Sequence, residues 1–398
     1  MTETRAQTTP GDILSDIMVV DLTTMMAGPL CARYLADMGA EVVKIEPPGG
    51  DYMRSRPPLR DGRSAYFAQL NAGKSSLQLD LKAPDDIARL QDLIARADVL
   101  VENFRPGVMD RLGFGWEAAK ALNPRLVYCS ISGFGQQSPS RDRPAYAQVI
   151  QALSGYDMAY MGYQKDQAAP GNSVLFVADA LGASFALSGI LGALRQRDKD
   201  GKGHHVDLSL MAGMFNMMVY EVQAAQFPAE RPRAAYHPLK ARDGFVLVAP
   251  TTPKNFRFLC QAMERPELAA DPRFDTVDRR YENWDSLMQI VQDWTAEREA
   301  AECESILTRA GVPAACYNSV GQAISDPALG VPAFMAQLSD ASGALSVPRL
   351  PFFLDRAPMP VGPGVPELPD AGRPFPVGSA PAAAGTAAFS NDETERDT

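Results

Sequence analysis

The 398-residue sequence predicts an α/β fold built on an open, mostly parallel sheet. Two observations point there. Short β-type apolar runs alternate with stretches of helical periodicity, and a strand, a helix and a strand follow one another within about 30 residues, as in a right-handed βαβ unit. IMVVDL (17–22) is the first strand candidate, GPLCARYLADMGA (28–40) sets Cys31, Tyr34, Leu35 and Met38 on one helical face, and EVVKIE (41–46) returns to strand. The theme repeats with SSLQLDL (75–81) as a strand and PDDIARLQDLIARA (84–97) as a helix, whose Pro84 and early acids suit a helix start. ADVLVE and RLVYCSIS (125–132) supply two further strands. Helices covering a parallel sheet follow from that order.

Farther along, an apolar helix spans about 177 to 197, and RQRDKDGKGHHVDLSL reads as a charged turn followed by a strand. MAGMFNMMVYEVQAAQF reads as one Met-rich helix, with methionine as a filler of core or subunit contacts. From DGFVLVAP onward the pattern changes to a strand, several helices and a GVPAACYNS return. Length alone favours two domains. The divisions are an N-terminal tail (1–15), a large domain (16–205), a linker helix (206–235), a small domain (236–328), a return to the large domain (329–375) and a flexible Pro, Gly and Ala-rich tail (376–398).

Composition narrows the function. A net charge of -10 offers no broad positive field for nucleic acid or an anionic membrane, so an anionic small ligand needs local cations. Cys31, Cys129, Cys260, Cys303 and Cys316 lack metal-ligand spacing and are odd in number, which fits reduced thiols in a cytoplasmic protein. MTETRAQTTPGD has no apolar signal core. VLFVADALGASFALSGILGAL (174–194) approaches the length of a membrane span, but Asp179, Ser184, Ser188 and three glycines speak for a core helix.

In an open parallel sheet, chemistry sits at the carboxyl ends of the strands. Those ends read TTMMAGP, EPPGGDYMR, ENFRPG and SGFGQ, with neither a GxGxxG nor a P-loop among them. Asp51, Arg54, Lys74, Lys82, Arg105 and Arg111 lie near them. Each alone is an ordinary solvated charge; several together could meet an anion. His204, His205 and His237 have neither zincin spacing nor a GxSxG elbow, so no His-based triad and no metal site is expected. Asp179 is the one charge within 174–194. At a helix start it could be a cap, and the same position would keep it ionised, as a carboxylate nucleophile requires.

The sequence resembles the family III CoA transferases, which include formyl-CoA transferase and carnitine CoA transferase and are related to α-methylacyl-CoA racemase. Five stretches carry the resemblance, in order: VVDLTTMMAGPLCARYLADMGAEVVKIEPPGGDYMR, NAGKSSLQLDLK, ADVLVENFRPGVMDRLGF, NPRLVYCSISGFGQ and VADALGASFALSGILGALRQRDKDGKGHHVDLSL. It runs from about residue 16 to about residue 355.

The resemblance implies a Rossmann-like large domain, a smaller α/β domain, and two subunits threaded as linked rings into an interlocked homodimer. It implies Asp179 as the nucleophile that forms an anhydride with the acyl group and then a thioester with CoA. It assigns CoA contacts to Ala27, Leu79, Lys82, Asn103, Phe104, Arg105, Arg111 and Tyr146. The partners implied are an acyl-CoA and a carboxylic acid, with CoA as co-substrate and no permanently bound cofactor. PAYAQVIQALSG carries Tyr146 where the racemase branch has a catalytic His, which is the transferase pattern. Met26 before Ala27, and RDGFVLVAP without a glycine run, depart from the formyl-CoA and oxalate pattern. Racemase or isomerase activity, and a non-catalytic CoA-binding role, are the alternatives.

Overall fold

The computed structural model describes residues 10–164, 167–171, 173–228 and 235–369. The flexible tail expected at 376–398, and residues 1–9 of the expected N-terminal tail, lie outside them. The first half alternates β1 (Met18–Asp21), α1 (Ala27–Asp37), β2 (Glu41–Glu46), α2 (Ala65–Asn71) and β3 (Ser75–Gln78). It continues with α3 (Pro84–Arg96), β4 (Val99–Glu102), α4 (Val108–Arg111), α5 (Trp116–Leu122) and β5 (Val127–Ser132). Helices α6 (Ala147–Leu153), α7 (Tyr156–Gly162) and α8 (Val177–Asp200) precede β6 (His205–Ser209).

These six strands form one sheet in the order β3-β2-β1-β4-β5-β6, with every neighbouring pair parallel. The chain builds outward from β1 in one direction, then crosses back and builds in the other, the doubly wound Rossmann-like order. Period-2 alternation divides the strand residues between two cores. Val19, Val42, Val99, Val101, Cys129 and Ile131 face α1 and α8, while Val20, Val43, Leu77, Leu100 and Tyr128 face α3 and α5. Pro84 opens α3 with Asp85 and Asp86 in its first turn, as its sequence anticipates.

Four sequence expectations need correction. SSLQLDL is strand only to Gln78, because the Asp80 side chain accepts from the Lys82 N–H and turns the chain. The charged RQRDKD stretch is no turn: α8 runs through it to Asp200 and stops at Gly201, whose φ of 73° only glycine adopts without strain. The boundary at 205/206 cuts through β6, the last strand of the sheet, so residues 206–209 belong to the large unit and not to a linker helix. The Met-rich stretch is two helices, α9 (Leu210–Met217) and α10 (Val219–Gln226), broken at Met218. Met214 and Met218 are buried in the same core as α1 and α8. Length and composition would let α8 cross a membrane, yet its Ala178, Ala183, Ala186 and Ile190 are fully buried in that core.

A second core gathers around an antiparallel sheet of β7 (Leu239–Lys240), β8 (Phe245–Val248) and β9 (Ala314–Cys316), with β8 central. Helices α11 (Pro253–Ala262), α13 (Trp284–Ala296) and α14 (Ala300–Arg309) supply Phe256, Leu287, Val291 and Leu307 to it; α12 (Val277–Glu282) precedes α13. The chain then returns to the first unit through the hairpin of β10 (Met335–Asp340) and β11 (Gly343–Pro348). Arg33 donates to the Pro348 carbonyl at 2.6 Å, and Asp37 accepts from the Gly362 N–H at 3.1 Å. Arg54 reaches the Pro366 carbonyl at 2.9 Å. All five cysteines are free thiols.

Candidate active site

A cavity of about 830 Å³ opens over the carboxyl ends of β1, β4 and β5, where the strand order reverses between β1 and β4. Such a switch point leaves a crevice because the two connections depart to opposite faces of the sheet. Its walls are Thr24–Ala27 after β1, Asn103–Pro106 after β4 and Ile131–Gly133 at the end of β5. Tyr52, Arg56, Tyr66, Arg141, Arg143, Tyr146, Phe176 and Asp179 complete much of the lining.

The two switch-point loops hold each other. Thr24 N–H donates to Asn103 Oδ1 at 3.0 Å, and Asn103 Nδ2 donates back to the Thr24 carbonyl at 2.7 Å. Close packing below sets the loop's path: a Cβ on Gly28 would fall 2.4 Å from Thr23 Cβ, so α1 can approach β1 only with glycine there.

Three of the charges near the strand ends, Asp51, Arg54 and Lys74, are each paired with a charge on a neighbouring element. Lys74 Nζ contacts Asp21 Oδ2 at 2.8 Å and also the Pro29 carbonyl and Asn71 Oδ1. Asp51 meets Lys44 at 3.0 Å, and Arg54 grips Glu46 through two bonds of 2.6 and 2.7 Å. Burial would raise the Asp21 carboxyl, but Lys74, Lys44 and the Thr23 hydroxyl hold it below its ordinary value. Asp51, Arg54 and Lys74 are therefore a rigid floor and not ligand contacts.

Asp179 sits on the third residue of α8, half-buried, and is the only carboxylate lining the cavity among the described residues. It caps nothing: Phe176 occupies the N-cap, and no described residue donates to the carboxylate. Burial without a partner pushes its carboxyl up from the ordinary value to about 6. At pH 7 such a group is still about nine-tenths ionised. The Tyr66 phenol is pushed up to about 12, first by burial and then by the Asp179 charge and Tyr52, so it stays a proton donor.

Among the residues carried over from the resemblance, Ala27, Asn103, Phe104, Arg105 and Tyr146 line this cavity together with Asp179. Leu79, Lys82 and Arg111 do not. Leu79 is buried among Ile45, Leu77 and Leu90, while Lys82 and Arg111 are exposed outside the lining. Sequence reasoning missed Arg56, Arg141 and Arg143. A signal existed, since GGDYMRSR and SRDRPAYA both crowd arginines beside strand-end loops. A smaller cavity of about 220 Å³ shares Arg105 and Arg141 and holds Glu102, Ser130 and His205. Ser130 Oγ lies 3.0 Å from His205 Nε2, whose ring stacks on Trp116; burial lowers the imidazole, so it is a neutral core group. No cluster of His, Cys, Asp and Glu fit to hold a metal occurs among the described residues.

Comparison with known proteins supplies the remaining observations. The sequence profile of CoA-transferase family III matches residues 14–371. The acetyl-CoA:oxalate CoA-transferase of Acetobacter aceti is 34% identical, covering 94% of this chain and 97% of the relative. The succinyl-CoA–D-citramalate CoA-transferase of Chloroflexus aurantiacus is 36% identical over 79% of this chain and 80% of its own length. Among solved structures, a CAIB/BAIF family protein from Brucella suis superposes with a TM-score of 0.78 at 29% identity, covering 91% of this chain and 97% of that one. The hypothetical protein Rv3272 of Mycobacterium tuberculosis gives 0.81 at 25% identity, covering 90% and 97%.

Proposed function

Since the chain belongs to CoA-transferase family III, we propose that it moves CoA from an acyl-CoA donor to a free carboxylic acid, with Asp179 as the covalent relay. The observation carrying this is the placement of Asp179: half-buried and, among the described residues, unpaired and the only carboxylate facing the cavity at the sheet's switch point. A carboxylate hydrated by bulk water is a weak nucleophile, and its anhydride hydrolyses, so both attack and survival of the intermediate need partial exclusion of water.

The sequence of bonds is balanced at every step. The Asp179 carboxylate attacks the thioester carbonyl, the C–S bond breaks, and CoA leaves as a thiolate with an aspartyl anhydride behind. The thiolate then attacks the Asp179 carbonyl, releasing the donor's carboxylate and leaving an aspartyl-CoA thioester. The acceptor carboxylate attacks that thioester to form a second anhydride and free the thiolate again. Attack of the thiolate on the acceptor's carbonyl yields the new acyl-CoA and restores Asp179. The Asp179 amide at the start of α8, and the protonated Tyr66 phenol, are placed to stabilise oxyanions that form there.

Ala27, Phe104, Arg105, Tyr146 and the main chain of Asn103 are proposed as CoA contacts within the cavity, and Lys82 and Arg111 as exposed cations for phosphates outside it. Exposed apolar groups at Val174, Leu175, Phe215, Val219 and Phe227 support an interlocked second copy covering α8 to α10. The free thiols fit a cytoplasmic setting. The domain divisions are retained as proposals, except that the large unit extends to Ser209.

The test is a panel of acyl-CoA donors crossed with carboxylic acids, read by mass spectrometry. Transfer of CoA between two acids supports the reading; absence of transfer for every pair overturns it. Among the described residues the lining has no histidine to pair with an acid in α-proton exchange, so a chiral 2-methylacyl-CoA in D2O without acceptor acid should gain no deuterium.

A further inference from the structure

Among the described residues four arginines line the cavity, Arg56, Arg105, Arg141 and Arg143, against the single carboxylate of Asp179. They are not equivalent in position. Arg105 and Arg141 also border the smaller cavity, and Arg141 bonds the Gln136 carbonyl at 3.4 Å. Arg143 lies over Phe134 at 6.0 Å. Arg141 also pairs with Asp142 at 3.7 Å, while no described carboxylate pairs with Arg56, Arg105 or Arg143; Arg56 lies exposed with its guanidinium over the Tyr52 ring at 5.0 Å. Arg56, Tyr52, Tyr66 and Asp179 all line this one cavity.

We propose that Arg56 is a specificity-determining residue that binds the distal carboxylate of a short dicarboxylic acyl group while the other end reacts at Asp179. This rests on the transferase reading. A diacid brings a second negative charge beside an ionised Asp179 in a partly dehydrated site, where an unpaired charge is strongly disfavoured. A guanidinium supplies the fork that a carboxylate accepts in two parallel bonds, and the Tyr52 ring beneath Arg56 gives that cation a neighbour on one face. A monocarboxylic acid needs no such partner, so Arg56 discriminates between the two classes.

The experiment compares wild type with Arg56→Leu and Arg56→Lys, using acetyl-CoA as donor and succinate or butanoate as acceptor, with the Kd for CoA measured alongside. Arg56→Leu should lower kcat/KM for succinate about 100-fold, while butanoate changes less than about 3-fold and the Kd for CoA stays within about twofold. Arg56→Lys should recover part of the succinate activity, because it restores charge without the fork. Equal losses for both acids, a weakened Kd for CoA with an unchanged acid preference, or no change at all would overturn the assignment. So would a wild type that accepts butanoate and refuses succinate. If wild type transfers CoA to no acid in the wider panel, it is the transferase reading itself that fails.

Discussion

Thr24 and Asn103 exchange two hydrogen bonds, 3.0 Å and 2.7 Å long, across the point where the sheet reverses its strand order. Both partners of Asn103's amide group are therefore main-chain atoms of the facing loop, so its work is to lock two walls of the cavity together.

Asn103→Ala removes both bonds at once. It should reduce kcat for CoA transfer about 10- to 100-fold by loosening the walls and cost roughly 1–3 kcal/mol of stability. Steady-state kinetics and urea unfolding check this. A weaker Kd for CoA with kcat and stability untouched would mean the side chain serves the ligand directly.

Lys74 offers the opposite contrast between sequence and structure. Its ammonium is buried against Asp21, so Lys74→Met removes the ion-pair partner of a buried carboxylate, leaving it the Thr23 bonds and the charge of Lys44, and should cost about 3–5 kcal/mol. The double variant Asp21→Asn/Lys74→Met should recover much of that loss in urea unfolding. A stable Lys74→Met protein with impaired CoA binding would reinstate Lys74 as an anion ligand.

Asp179 links activity and stability to pH. Its acidity rises from the ordinary 3.8 to about 6 in the folded protein, so the folded state holds the proton more tightly than the unfolded chain. Ionisation then opposes folding: the cost grows as pH rises from about 4 through about 6 and is complete above. Asp179→Asn should therefore be more stable than wild type at pH 8 by about 2–3 kcal/mol, with the gap closing toward pH 4. The rate of CoA transfer should rise with pH through about 6 on its acid limb, as the carboxylate forms. Thermal unfolding and initial rates across this range decide it; a flat rate profile and equal stabilities would contradict the account.

The strands were legible because alternation is local: Val19 and Val20, or Val42 and Val43, announce two buried faces without knowledge of their neighbours. Asp179 was legible as a lone charge in an apolar helix, but its acidity was not, since that depends on which distant groups approach it. Lys74 and Arg54 read as free cations because Asp21 and Glu46, their partners, lie 53 and 8 residues away. The same blindness hid Arg56, which only the fold brings to the cavity that holds Asp179. The break at Met218 and the run of α8 to Asp200 were missed because helix packing and the Gly201 stop, not composition, decide where those helices end.

The most direct measurement is to trap the enzyme during turnover with hydroxylamine and locate the modification by peptide mass spectrometry. An acyl-CoA substrate should yield a hydroxamate on Asp179, dependent on the substrate and absent in Asp179→Asn. Transfer that proceeds with Asp179 unmodified, or a hydroxamate on a different carboxylate, would contradict the proposed relay.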